Sequence, residues 1–183
     1  MNYESIRQQY KPDQIKWLLI AESPPPGAGA KGSRHFYRTD KMRLDDRLFL
    51  NTIRALYPKE VEGRPETDLE LNKEKWLRRL QEAGVYMIEA LEESQPHGVK
   101  KPQRQAKIQA ALPRLIERVG ELADPDTKLL LIKSNPYEVA AEPLRQAGFK
   151  VLNEALIDYP GQFNQAAYKQ KLGDTMRQAG WRD

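Results

Sequence analysis

The sequence predicts an α/β fold: a three-layer α/β/α domain, residues 1–183, with a mainly parallel four-stranded sheet between its helices. Four short apolar runs alternate with longer segments whose apolar residues recur at helical spacing. The first run, Trp17–Ala21, would be apolar on both faces of a strand, which is typical of a central strand in a parallel sheet. The length of 183 residues suits one domain with one core, and no repeat or linker divides the sequence.

The four strands are expected near residues 16–21, 85–89, 128–132 and 149–153, with the last extending as far as residue 157. Three consecutive prolines from Pro24 onward end the first strand, because proline donates no backbone hydrogen bond. Because β-strands joined by helices form parallel sheets with right-handed crossovers, the carboxyl ends of these strands should share one edge.

The helices follow from apolar periodicity together with residues that start and stop helices. Pro58 ends one helix, Asn72 is a plausible N-cap, Gly84 stops the next helix, and Pro113 should kink or interrupt the longest one. The charged segment 59–67, which contains glycine and proline, is expected to be a surface loop. The predicted helices span residues 2–14, 45–57, 72–83, 103–122, 137–146 and 162–179.

Composition excludes several classes of site. The chain has no cysteine, so it has neither a disulfide, a thiolate nucleophile nor a cysteine-ligated zinc or iron–sulfur centre. With two histidines it has no histidine-rich metal site, and we expect neither a metal nor another cofactor. No apolar run is long enough to span a membrane, and residues 1–11 lack the apolar core of a signal peptide, so we expect a cytoplasmic, monomeric protein. The net charge of +4 weakly favours an anionic partner such as DNA.

Polar side chains follow all four predicted strands. Glu22 comes after the first and Glu89 ends the second, while residues 133–135 and 158–159 follow the third and fourth. In open α/β sheets ligands bind at the carboxyl ends of strands, so these residues predict a cleft there. Polar residues also commonly begin ordinary loops, which is the alternative interpretation.

In their order along the chain, four motifs resemble those of the uracil-DNA glycosylase superfamily. The segments Leu19-Ile-Ala-Glu22-Ser-Pro24 and Ser33-Arg-His-Phe36-Tyr37 are similar to its Gly-Glu-Ala-Pro-Gly and Gly-Arg-Pro-Phe motifs. Further on, Gly84-Val-Tyr-Met-Ile-Glu89 resembles Gly-Val-Tyr-Ile-Thr-Asn, and Tyr159-Pro-Gly-Gln-Phe-Asn164 stands where the family has His-Pro-Ser-Pro-Leu-Asn. The resemblance covers the chain from about Ile15 onward and depends on the order and spacing of motifs that are individually weak.

The resemblance implies a DNA-base glycosylase that draws a base out of the stack into a pocket. Glu22 would orient water and stabilise the sugar cation, and Tyr159 would donate a hydrogen bond to the departing base. The implied base-binding residues are Phe36, Tyr37, Glu89 and Asn135. Three of these residues also fit a structural role: Phe36 a core position, Glu22 a cap or salt bridge, and Tyr159 packing at a strand end.

Departures from the family's motifs argue against uracil as the substrate. Ala21 replaces the glycine before the acid, Glu89 replaces the base-reading asparagine, and Tyr159 replaces the histidine of the last motif. An ionised glutamate only accepts hydrogen bonds, which suits an exocyclic amino group rather than the edge of uracil. We therefore predict poor excision of uracil, or none.

Cations near these motifs are predicted to contact DNA phosphates, although solvated surface charge is the plain alternative. Phe163 stands where the family places a residue that wedges into the duplex, and Asn164 follows it. The predicted cationic contacts are Lys31, Arg34, Arg38, Lys41, Arg43, Lys100, Lys101 and Arg104.

Two other functions compete with a glycosylase. The first is a non-catalytic module that binds nucleic acid or a protein on the same fold. The second is a small nucleotide hydrolase or transferase. The sequence argues against it, because it contains neither a Gly-x-x-x-x-Gly-Lys loop nor an evident cluster of metal-binding carboxylates.

Overall fold

The computed structural model describes residues 3–27, 35–39 and 46–182. Within them the chain forms an α/β fold with a four-stranded, all-parallel sheet, as the sequence predicts. The strands are β1 (Trp17–Ala21), β2 (Val85–Glu89), β3 (Lys128–Leu131) and β4 (Lys150–Val151). The helices are α1 (Tyr3–Gln8), α2 (Arg47–Leu56), α3 (Pro58–Val61), α4 (Glu66–Leu71), α5 (Lys73–Glu82), α6 (Lys101–Leu122), α7 (Ser134–Gln146) and α8 (Gln165–Gln178).

The strand order is β2-β1-β3-β4, so the two central strands are β1 and β3. Ala21 pairs with Glu89 and Ile20 pairs with Leu131, which brings the carboxyl ends of β1, β2 and β3 to one edge. From β1 the chain passes first to β2 on one side and then to β3 on the other. The strand order therefore reverses between β1 and β3, and such a switch point is where open α/β sheets bind ligands.

Both faces of the sheet are covered, in keeping with a three-layer arrangement. All five residues of β1 and all five of β2 are buried. The helix α2 packs against α8, and α6 packs against α7. Near the amino end of β1, Trp17 and Tyr57 pack on the ring of Trp181, whose Nε1 donates to the carbonyl of Leu56 at 2.9 Å.

Gly84 sets the start of β2 against the start of β1. The backbone amides of Lys16 and Trp17 both donate to its carbonyl, at 2.9 and 3.0 Å. Its φ of +78° is unfavourable for other residues, and a Cβ there would lie 3.0 Å from the carbonyl oxygen of Gln14. Glycine is therefore required by this close approach as well as by the end of the preceding helix.

Some predicted element boundaries are wrong. The segment 59–67, expected to be a loop, contains most of α3 and the start of α4. The first helix covers only Tyr3–Gln8, and the last begins at Gln165 rather than at residue 162. The helix α6 continues through Pro113 without a break. Asn72 occupies the N-cap position of α5, but its side chain donates to Asp68 instead of capping the helix.

No helix in the described part of the chain combines the length and apolar character needed to cross a membrane.

The pairing at the far edge of the sheet extends beyond β4 through a single parallel bridge between Ile132 and Ile157. This bridge holds the segment that carries Tyr159 beside the end of β3.

Candidate functional site

A cleft of 710 Å³ lies at the carboxyl ends of β1, β2 and β3. We call it the strand-end cleft. Its position coincides with the reversal of strand order between β1 and β3, where a ligand site is expected. The walls of this cleft include the side chains of Glu22, His35, Phe36, Glu89, Gln95, His97, Arg104, Lys133 and Tyr159.

Glu22 is a buried carboxylate held by two cations and an amide. It follows the last residue of β1 and is 4% exposed. Arg104 Nη1 donates to Oε1 at 2.6 Å, whereas Lys133 Nζ and Asn135 Nδ2 donate to Oε2 at 2.6 and 2.9 Å. Burial by itself would raise the pKa of Glu22, but the hydrogen bonds and charges of its partners outweigh burial and hold the pKa below its ordinary value. Glu22 is therefore ionised at neutral pH.

Lys133 adopts a backbone conformation that is rare for its residue type. Its φ of +80° is the one positive value at a non-glycine position in the described ranges. Its amide donates to the carbonyl of Ile157 at 2.8 Å, and it occupies the N-cap position of α7. Such strain persists only where surrounding contacts impose it, and it is concentrated at functional sites. Lys133, the residue with this backbone strain, is also the residue whose ammonium group contacts Glu22.

Phe36 and Tyr37 are both buried in the core, 6% and 2% exposed, but only Phe36 lines the strand-end cleft. Phe36 lines the strand-end cleft and packs edge-on against Phe49, with ring centroids 6.0 Å apart. Tyr37 is 2% exposed, stacks on Tyr10, and its hydroxyl accepts a hydrogen bond from the amide of Met87 at 2.6 Å. Tyr37 is thus a core residue outside the lining of the cleft, which gives no support to its predicted role in base binding.

Glu89 ends β2 and contributes to the wall of the cleft. Arg7 Nη1 donates to its Oε2 at 3.2 Å, and Arg118 Nη1 donates to its backbone carbonyl at 3.1 Å. Burial raises the pKa of Glu89 to about 8, and the charge of Arg118 limits the rise. The raised pKa favours the protonated carboxyl, which can donate a hydrogen bond as well as accept one, whereas the expectation from the sequence is an ionised, acceptor-only group.

Glu22, Phe36, Glu89 and Tyr159 all lie on the walls of the strand-end cleft. Tyr159 is 42% exposed, which leaves part of its side chain accessible to a ligand. Asn135, by contrast, is buried and contacts the site through Glu22. Its Oδ1 has no hydrogen-bond partner in the described part of the protein. Asn135 therefore positions the carboxylate rather than forming part of the wall.

The predicted DNA-contacting residues are only partly described. Lys31, Arg34, Lys41 and Arg43 lie outside the described residues. Arg38 is half-buried, and its amide donates to the carbonyl of His35 at 3.0 Å.

The remaining predicted contacts lie near the starts of α6 and α8. Lys100 is exposed at the N-cap of α6, while Lys101 pairs with Glu138 at 2.8 Å. Phe163 is 90% exposed, and Asn164 occupies the N-cap position of α8.

Sequence reasoning misses the direct partners of Glu22. Arg104 is predicted to contact DNA, but it binds a carboxylate 82 residues away along the chain. The only sequence signal for Lys133 is its position directly after the third apolar run. Gln95 and His97 reach the cleft from the loop after β2, and no pattern in the sequence marks them.

Comparison of the chain with protein-family models, with curated proteins and with solved structures finds no match.

Proposed function

We propose that this chain is a DNA-base glycosylase-like protein that takes an extruded, modified or non-uracil base into the strand-end cleft. The observation that carries the proposal is the buried, ionised Glu22 at the switch point of the sheet, on a cleft wall shared with Phe36 and Tyr159. A carboxylate, an aromatic ring and a phenolic hydroxyl are groups suited to holding an extruded base and hydrolysing its N-glycosidic bond.

The proposed reaction assigns one task to each group. The base packs on Phe36, and the C1′–N bond breaks with its electron pair going to the base. Glu22 stabilises the resulting positive charge on the sugar and orients a water molecule, whose oxygen forms the new bond to C1′. Glu22 or solvent takes a proton from this water, and the departing base takes a proton from solvent while Tyr159 donates a hydrogen bond to it.

The two cations on Glu22 are more accessible than the carboxylate itself. The side chains of Arg104 and Lys133 are 22% and 36% exposed, whereas that of Glu22 is 3% exposed. We expect a bound DNA strand to attract these cations to its phosphates, because phosphate oxygens form strong charge-assisted hydrogen bonds. This exchange would release Glu22 to act on the sugar.

The test is single-turnover incubation with a panel of oligonucleotides that carry different damaged or modified bases, followed by detection of alkali-labile sites. Glu22→Gln should slow the formation of these sites, on the base that wild-type protein excises, by at least about a hundredfold. The matched control is Glu93→Gln, which changes an exposed glutamate in the loop after β2. No alkali-labile site on any substrate of the panel would count against glycosylase activity.

A second candidate function is binding of nucleic acid without cleavage. One observation favours it: both oxygens of Glu22 are already engaged, by three donors in total. In this case the protein would bind the same oligonucleotides with affinities that depend on salt, and no abasic site would form.

A further inference from the structure

His35 carries a buried hydrogen-bond donor for which the described part of the protein supplies no acceptor. The residue lies on the wall of the strand-end cleft and is 3% exposed. Its Nδ1 accepts a hydrogen bond from the amide of Tyr37 at 3.0 Å. This contact places the proton of the neutral ring on Nε2, because the two nitrogens of a neutral imidazole divide the roles of acceptor and donor. In the described ranges, Nε2 has no hydrogen-bond partner.

The surroundings of His35 keep its ring uncharged and fixed. Burial, together with the charges of Lys73, Arg7 and Arg38, lowers the pKa of His35 to about 2. Lys73 Nζ donates to the carbonyl of His35 at 2.9 Å and to Asp46 Oδ2 at 2.7 Å, which ties this segment to the start of α2. The ring of Tyr3 packs against the imidazole with centroids 3.8 Å apart and nearly perpendicular planes. The donor is thus positioned before any ligand arrives.

Buried polar atoms without partners are rare in folded proteins, and each one calls for a physical reason. A ligand acceptor supplies that reason here, because the residue borders a cleft large enough for a nucleobase. A neutral, preorganised donor is suited to negative charge that develops on a departing base, since it needs no change of protonation state to act.

We propose that His35 Nε2–H is the hydrogen-bond donor that the strand-end cleft offers to an acceptor atom, a ring nitrogen or a carbonyl oxygen, of the bound base. This inference rests on the proposed function and extends it. Ligands of this kind are flat heteroaromatic rings with an acceptor on the edge, and both Phe36 and His35 line the cleft that would hold them.

The test uses protein labelled with ¹⁵N at histidine. Since the chain has two histidines, His35 and His97, comparison of wild type with the variant His97→Asn assigns the signals of His35, and the probes are then added to wild-type protein. In the free protein we expect a protonated Nε2 and an unprotonated Nδ1 from pH 5 to pH 9. The probes are free adenine, cytosine, hypoxanthine and uracil, and single-stranded oligonucleotides that carry each base. At least one probe should shift the Nε2–H resonance downfield, while the Nδ1 resonance stays nearly unchanged.

Substitution provides a second readout. His35→Phe should weaken binding of the responding base about tenfold, the effect of losing one hydrogen bond. The control Glu93→Gln, which changes an exposed residue outside the cleft wall, should leave base binding nearly unchanged. An Nε2–H resonance that responds to none of the probes overturns the proposal, because the donor would then contact only the ring of Tyr3.

The two proposals fail in different ways. Excision by wild-type protein without a response of Nε2 would refute the role of His35 and leave the glycosylase proposal standing. A response of Nε2 without excision would support His35 as the ligand donor and refute catalysis.

Discussion

The raised pKa of Glu89 predicts a specific dependence of stability on pH. The carboxyl has an ordinary pKa of 4.5 in the unfolded chain and about 8 in the folded protein. A raised pKa means that the folded state binds the proton more tightly, so this contribution to stability is fully present below pH 4.5 and is lost as pH rises toward 8. Glu89→Gln removes the titration but keeps an oxygen that can accept the hydrogen bond from Arg7.

The expected magnitude follows from the two pKa values. Each pKa unit corresponds to about 1.4 kcal/mol, so between pH 5 and pH 9 wild-type protein should lose about 4 kcal/mol relative to Glu89→Gln. His35 contributes with the opposite sign, because its folded pKa is lowered from 6.5 to about 2 and the resulting stability is lost as pH falls below 6.5. This contribution is present in both proteins, so it cancels in the comparison.

The assay is urea unfolding of wild type, Glu89→Gln and the control Glu93→Gln at pH 5, 7 and 9, with the free energy of unfolding taken from linear extrapolation. The advantage of Glu89→Gln over wild type should grow with pH, while the exposed control follows wild type. A difference between Glu89→Gln and wild type that changes by less than about 1 kcal/mol from pH 5 to pH 9 would refute the reasoning, because it would mean that Glu89 titrates almost as it does in the unfolded chain.

Three further predictions concern DNA. Charge reversal at Arg34 and Arg38 should weaken DNA binding similarly for all DNA sequences. The dependence of the logarithm of the binding constant on the logarithm of salt concentration should become less steep by about one for each phosphate that is no longer neutralised. Unchanged affinity at low salt would argue against a role of these cations in binding. Phe163→Ala should change the free energy of unfolding by less than about 0.5 kcal/mol, because the side chain is 90% exposed. The same variant should bind duplex DNA more weakly than wild type, and equal affinity would show that Phe163 does not wedge into the duplex. Single-turnover assays at pH 9, above the raised pKa of Glu89, should show poor uracil release by wild type, because an ionised carboxylate cannot donate to uracil. The double variant Glu89→Asn with Tyr159→His should release uracil at least about tenfold faster under the same conditions. Robust release of uracil by wild type would contradict the interpretation that Glu89 and Tyr159 hinder uracil excision.

The sheet is predictable from the sequence because its strands are short, nearly uniform apolar runs. The burial of β1 and β2 on both faces follows directly from such runs, and the polar residues that follow β1 and β3 meet because parallel strands share one carboxyl edge. Segment 59–67 is wrongly predicted as a loop, because its charge and its Gly63 and Pro65 hide the short helices α3 and α4.

The partners and protonation states at the site are not predictable in the same way. Arg104 and Lys133 reach Glu22 only in the folded chain, and no local pattern encodes a contact across 82 residues. The protonation of Glu89 depends on its burial, which the sequence suggests but does not measure. Phe36 and Tyr37 are neighbours of similar chemistry, and only the packing decides which of them lines the cleft.

The most direct test of the central claim is single-turnover base release by wild type and by Glu22→Gln, measured on the same panel of modified oligonucleotides. Our account predicts that wild type forms alkali-labile sites at one class of modified base. It also predicts that Glu22→Gln slows this reaction by at least about a hundredfold, a typical contribution of a positioned catalytic group, while DNA binding is retained. Release by Glu22→Gln at the wild-type rate would contradict the assignment of this cleft as the catalytic site.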